Sequence, residues 1–229
     1  MHSVFWTLAK TDYGASVQST ETQAAWAEDQ ATDIVPSRLH DDMQDLSYNA
    51  FIQESTLDEI AYAGGTDPLE LRRRLMSPYP VATRLIDAVA RMSNWQEPVA
   101  GGRARGFAFA FSNGSWVAQV IEISEQESGI RVDAVHCAVD AGPLADDSIR
   151  RAVIEADIRR ALREATGREV RQRMEIPAIH VKLLKNAVRP GLGGTPAAQP
   201  VMPALANAVF ALTGKRIRRT PLGDEIAFV

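Results

Sequence analysis

Apolar positions along the chain fall into blocks whose period changes twice. From Ser47 onward Phe51, Ile52, Ser55, Leu57, Ile60 and Ala61 recur near helical spacing, and Gly64-Gly65 supplies the permissive backbone that ends a helix. Thr66 or Asp67 is placed to cap a second helix, with Pro68 in its first turn and Leu69, Leu71, Leu75 and Met76 as its apolar positions. Ser77-Pro78-Tyr79-Pro80 stops it. A third helix is predicted over Val81 to Asn94, with Leu85, Ile86, Val89 and Met92 on one side. Three helices in succession make a helical subdomain.

After Gly101-Gly102 the period drops to two. Phe107, Phe109 and Phe111 alternate with small residues, and Ser112 to Ser115 reads as a turn. Val117, Gln119, Ile121 and Ile123 alternate with Ala118, Val120, Glu122 and Ser124. A further turn over Glu125 to Gly129 leads to a strand over Ile130 to Val139. Three strands joined by short turns predict an antiparallel meander.

The helical period returns over Asp146 to Thr166, capped by Asp147 or Ser148 and closed by Gly167. Ile149, Val153, Ile154, Ile158, Ala161 and Leu162 form its expected stripe, and arginines and acids fill much of the other face, as in a surface helix. Ile179 to Leu184 is a short strand, Pro190 to Pro200 a glycine- and proline-rich loop, and Val201 to Thr213 an apolar helix closed by Gly214. The whole is α+β: a helical segment, then an antiparallel or mixed sheet with flanking helices. Residues 1–46 stand apart from the 47–229 domain; within them only the alanine-rich run Glu21 to Thr32 suggests a short helix, which Pro36 would end.

Composition narrows the function classes. The 229 residues are 45% hydrophobic and 24% charged, with a net charge of −4, which gives no basis for general nucleic-acid or membrane-surface binding. Arginine runs such as Arg72-Arg73-Arg74 read as solvated faces. No apolar stretch is long enough for a membrane span, and the N-terminus lacks the pattern of a secretory signal. Cys137 is the single cysteine, so an intrachain disulfide is impossible; this fits a cytoplasmic location.

Candidate chemistry is sparse. His136 and Asp140 lie four apart on one strand and therefore share a face, which suggests an acid/base pair; a histidine simply satisfied at a sheet surface is the bland alternative. Cys137 points to the other face as a small core residue. Glu175 and His180 flank Pro177 at the start of the last strand and are candidates for a pocket mouth, or else merely exposed. His40 with Asp41 and Asp42, in a predicted loop, is a weak signal for a metal cluster; Asp140, His136 and His180 show no recognisable metal-ligand spacing, and no metal site is expected. Ser112 and Ser115 beside Gly114 are turn residues without a nucleophile-elbow pattern.

Four stretches carry a resemblance. They are Asn49-Ala50-Phe51 with Glu54-Ser55, Leu57-Asp58-Glu59 and Asp67-Pro68-Leu69-Glu70; Gly102-Arg103-Ala104-Arg105-Gly106 leading to Gly114-Ser115-Trp116-Val117-Ala118-Gln119-Val120; Val135 to Gly142; and Pro203 to Phe210 with Thr213-Gly214-Lys215-Arg216-Ile217-Arg218. In order and spacing they resemble the C-terminal part of the molybdopterin-binding subunit of the xanthine dehydrogenase and aldehyde oxidase superfamily, of the isoquinoline 1-oxidoreductase type, over roughly residues 47 to 222. The resemblance implies part of that subunit's α+β fold and, in intact members, hydroxylation at a molybdenum centre.

Departures from the family pattern argue against that activity here. The family's general-base glutamate follows a Gly-x-Gly turn; the matching run is Pro190-Gly191-Leu192-Gly193-Gly194-Thr195-Pro196, with glycine in its place and no carboxylate nearby. The helix after Asp146 is charged where the family is glycine-rich, the segment between Arg171 and Ile179 is shortened, and the family's N-terminal portion has no match. These departures imply a truncated scaffold without a resident cofactor. Its expected role is binding an apolar small molecule and catalysing non-redox chemistry such as cyclisation, isomerisation or proton transfer, as part of specialised metabolism. Phe107, Phe109 and Phe111 share one strand face and read first as core; with Trp116 they would line the pocket if a face once covered by a missing domain stands open, and homodimerisation would cover such a face again. An accessory subunit of an oxidoreductase and a fragment of a split aldehyde or N-heterocycle hydroxylase are the alternatives.

Overall fold

The computed structural model describes residues 42–112, 115–140, 147–167, 177–185 and 196–229. The expectations for Glu21 to Thr32, for His40 with Asp41, for Glu175 and for the run 190–195 fall outside these residues.

The three expected helices form. Helix α1 spans Asp42–Ala63, starting before the expected Ser47; α2 spans Pro68–Leu75 and α3 spans Pro80–Met92. Asp67 caps α2: its Oδ1 accepts from the N–H groups of Leu69 and Glu70 at 2.9 and 2.8 Å. Its Oδ2 accepts from the indole of Trp95 at 2.8 Å, so one carboxylate both starts α2 and ties it to the chain beyond α3.

The meander follows as β1 (Arg103–Ser112), β2 (Ser115–Gln126) and β3 (Gly129–Asp140), paired antiparallel. Helix α4 (Asp147–Thr166) then leads to β4 (Ala178–Leu184), which lies parallel to β3, giving the order β1-β2-β3-β4. A parallel neighbour needs a crossover of this kind, which a hairpin turn does not provide.

One irregularity sets which side chains face which way. Glu122 pairs with Ala134 and Ile123 with Val132, so Asp133 is an extra residue in β3. Before it the even-numbered Ile130 and Val132 enter one core; after it the odd-numbered Val135, Cys137 and Val139 enter the same core. This is a β-bulge.

That core lies between the sheet and helices α4 and α5 (Val201–Thr213). Helix α5 sits very close to β1: a Cβ on Gly106 would fall 2.1 Å from the carbonyl oxygen of Ala204 and 2.1 Å from the nitrogen of Ala208. Gly214 closes α5 in the left-handed conformation, φ 72°. The stripe of α4 is rotated from the expected one. Ile154, Ile158, Ala161, Leu162 and Ala165 are buried, whereas Ile149 and Val153 are exposed. The buried set keeps a strict i, i+4, i+7, i+8, i+11 pattern, and the two early residues lie off it.

The second core lies on the other face, where Leu85, Ile86 and Val89 of α3 and Leu69 of α2 cover Phe107, Phe109, Val120 and Ala138. Strand β1 is a sheet edge, and side chains take the place of a neighbouring strand. Glu54 Oε2 accepts from the Phe109 N–H at 3.0 Å, and Asn207 Nδ2 donates to the Phe107 carbonyl at 3.1 Å. Glu54 is itself paired with Arg72 at 2.7 Å in the interior. Burial pushes the Glu54 carboxyl above its ordinary range, against the opposing pull of Arg72.

Candidate functional site

The α3-covered face of the sheet carries two adjacent rows of residues. One runs Arg105, Glu122, Ala134, Ala178 and the next Phe107, Val120, His136, His180, read across the paired strands. The bulge at Asp133 brings His136 onto this face. His136 Nε2 lies 3.3 Å from Glu122 Oε1, and Arg105 Nε donates to the same oxygen at 3.3 Å. Arg105 also donates through its NH1 to the carbonyls of Asn94 and Glu97, at 2.7 and 3.0 Å, fastening the turn after α3 to the sheet.

The His136 hydrogen bond holds the Glu122 carboxyl below its ordinary range; burial opposes this, and Arg105 reinforces it. The Nε2 contact to a carboxylate assigns the proton of a neutral His136 to that nitrogen. Its Nδ1 is then a buried acceptor, and no partner among the described residues reaches it. His136 is 8% exposed. The ring of His180, exposed on β4, stacks on it with centroids 5.0 Å apart and planes 19° apart.

The expected pairing of His136 with Asp140 does not form. Four residues along a strand are roughly 13 Å apart, beyond hydrogen-bond reach even for side chains on one face. The acid partner of His136 comes instead from the neighbouring strand, as Glu122. Asp140 is buried farther along β3, where it pairs in register with Leu184. Sequence reading missed Glu122 and Arg105; the signal was an acid and a base on the same faces as Val120 and Phe107, but choosing between His136 and Cys137 as neighbour required the bulge.

The aromatic row is core at Phe107 and Phe109, as first read, and the condition of an open face is not met there. Phe107 and Phe109 are 0% and 4% exposed, closed over by α3. Only its end is accessible: Phe111 and Trp116 are half-buried, their rings 4.2 Å apart, with Phe109 stacked on Trp116 at 5.2 Å and Tyr79 at 5.9 Å. Cys137 lies fully buried on the opposite face, and burial pushes its thiol up to about 12. Beside it Gln119 donates from Nε2 to the Ala197 carbonyl at 2.6 Å, leaving Oε1 buried without a partner among the described residues.

The described four-stranded mixed sheet with helices on both faces matches the α+β fold of aldehyde oxidoreductases, and the chain resembles the molybdenum-binding subunits of the xanthine dehydrogenase and aldehyde oxidase superfamily. It is 29% identical to the beta chain of isoquinoline 1-oxidoreductase from Brevundimonas diminuta, over 77% of the present chain and 26% of that protein. It is 31% identical to a subunit of nicotinate dehydrogenase from Pseudomonas putida, over 77% of the present chain and 18% of that protein. The chain thus spans about a quarter of one relative and less than a fifth of the other. Aldehyde oxidoreductases from Desulfovibrio gigas and Desulfovibrio desulfuricans superpose with TM-scores of 0.59 and 0.60, at 10% and 9% identity. Those alignments cover 77% of the chain and 40% and 39% of the two structures, a likeness of fold alone. No family model matches.

The residues described do not fit a molybdenum–pterin group. Such a group needs converging donors and acceptors and a compensated charge. Among the described residues the buried polar atoms without partners are divided: Gln119 Oε1 is on one sheet face and His136 Nδ1 on the other, while Ser55 Oγ on α1 and Arg216 Nε and Nη2 belong to a third region, where Arg216 pairs with Asp58 one turn along α1 from Ser55. Among the described residues no group of three His, Cys, Asp or Glu side chains is placed to hold a metal ion. No described helix is long and apolar enough to cross a membrane.

Proposed function

We propose that this chain works as one component of a molybdenum hydroxylase-type oxidoreductase in the cytoplasm, supplying scaffold to the assembly while another chain supplies the reactive centre. The observation that carries this reading is the closure of the sheet. The chain's own helices cover both faces, and the polar atoms left over inside, among the described residues, are divided between those two faces and the contact of α1 with Arg216. The glycines in place of a general-base glutamate in the run 191–194 support it, as does the fact that both sequence relatives are subunits of larger enzymes. The test is purification of the native protein with analysis of molybdenum and pterin. The expected result is a stoichiometric complex in which both follow a second chain. A protein that elutes alone and without such a partner would overturn the reading.

A second reading is cofactor-free proton transfer on an apolar small molecule, such as a cyclisation or isomerisation, by a homodimer. The Glu122–His136–His180 array favours it, since it joins a carboxylate, a buried imidazole and a solvent-facing imidazole. Half-buried Phe111 and Trp116 are its apolar contact. In that case His136→Ala abolishes turnover while folding persists; unchanged turnover removes the array from the chemistry.

A further inference from the structure

The two edges of the sheet are finished differently. On β1 the outward polar groups of Phe107 and Phe109 are taken by Asn207 and Glu54. On β4 the described residues supply one such cap: Arg151 donates through its NH1 to the carbonyl of Val181. A residue's N–H and C=O point to the same side of a strand, and successive residues alternate. With the Val181 carbonyl turned away from β3, residues 179, 181 and 183 present their backbone groups outward, while 178, 180, 182 and 184 turn theirs to β3. Apart from the Val181 carbonyl, those outward groups meet no partner among the described residues. Unpaired edge groups of this kind are a template for another strand.

The charge along this edge selects the occupant. From Ala178 to Lys185 the strand carries His180, Lys182 and Lys185 and no carboxylate, and Arg151 adds a guanidinium at its rim. His180 and Lys182 are exposed, on the face opposite Ile179, Val181 and Leu183, which pack into the core. Lys185 has an acid partner, Asp147 at 3.5 Å; Lys182 has none among the described residues. A second copy pairing antiparallel through the same edge would set His180 beside another Lys182, a like-signed contact once the imidazole is protonated. A strand with carboxylates at alternate positions meets the same edge with opposite charge.

We propose that the outer edge of β4 is a strand-pairing site for an extended, acidic segment of another protein. The backbone groups of residues 179, 181 and 183 supply the ladder, and Lys182 with His180 supplies the preference for acid. This stands independently of the oxidoreductase reading, since it concerns an edge and not a reactive centre.

The experiment uses the full chain and two fluorescein-labelled octapeptides, one alternating valine with glutamate and one alternating valine with lysine, read by anisotropy. The glutamate peptide is expected to bind roughly fivefold or more tighter than the lysine peptide, and to weaken with salt. Lys182→Glu should reverse that order. Val181→Pro removes an outward N–H and leaves the β3 side of the ladder intact, as proline on an edge strand does. It should weaken binding about tenfold while the circular dichroism spectrum is retained. Equal binding of both peptides, no binding of either, or affinities that neither substitution changes would each overturn the proposal. So would sedimentation showing a dimer of this chain that Val181→Pro dissociates, because the edge would then belong to a second copy.

Discussion

The guanidinium of Arg72 lies 2.7 Å from the carboxylate of Glu54, and almost no solvent reaches either side chain. Arg72 further donates to the carbonyls of Pro68 and Glu54, and its charge lies 5.5 Å from the centre of the Phe107 ring. The pair therefore joins α1, α2 and the edge of the sheet at one buried point.

Removing one partner leaves the other charge stranded inside. Arg72→Met should destabilise the fold by about 3–5 kcal/mol in urea denaturation. The double change Arg72→Met with Glu54→Gln should lose less than the single one. A double variant as unstable as the sum of the two singles would show that the pair acts through packing alone.

Gly106 gives a sharper steric test. A methyl group there meets the backbone of α5 and not a movable side-chain end, so Gly106→Ala must push helix and strand apart. The expected loss is about 1–3 kcal/mol, read as a lowered Tm. Gly102, where nothing lies within 4 Å of an added Cβ but φ is +72°, is a control that isolates backbone strain from crowding.

Acid titration should expose Glu122. Its folded carboxyl titrates below the unfolded value, so between the two the unfolded chain binds more protons and stability rises with pH. The contribution is present above the ordinary glutamate range and is lost as pH falls through the depressed value. Glu122→Gln should flatten that acid limb relative to the parent, in unfolding curves collected across acidic pH. An unchanged limb would mean that the His136 contact adds nothing to folding.

Cys137 should be inert while the protein is folded. Its thiol is buried and its ionisation is pushed up to about 12, so scarcely any thiolate exists near neutrality. Labelling by an alkylating reagent should appear only with denaturant, in step with unfolding. Fast labelling of the native protein would contradict the described packing.

Much of the fold was legible because each block of sequence agrees with one period. Pro68 marks a helix start, Gly214 marks a helix end, and the Phe107, Phe109, Phe111 alternation marks a strand whose first two rings are indeed buried together, whereas Pro80, read as part of a stop, is itself the first residue of α3. The parallel placement of β4 was not legible, since a short strand after a helix has no local signal for its direction. The stripe of α4 was misjudged at Ile149 and Val153 because apolar residues near a helix start need not face the core. The site was less legible than the fold. His136 and Asp140 do share a strand and its face, but contact across a sheet follows register between strands, and the register depended on one extra residue in β3.

That extra residue is the one place among the described residues of β3 where length can change without changing which side chains face which core. Excising Asp133 would leave a chain with nearly the same amino-acid content and an uninterrupted ladder. The side chains from Ala134 to Asp140 would keep their faces, because Ile123–Val132 and Glu122–Ala134 are already consecutive pairs on either side of it; what would go is the carboxylate that binds Arg103, Arg131 and Ser124. A codon lost on either side of the bulge, by contrast, would turn over the residues beyond it, so gene variants of β3 are expected to vary in length at position 133 and elsewhere only by substitution.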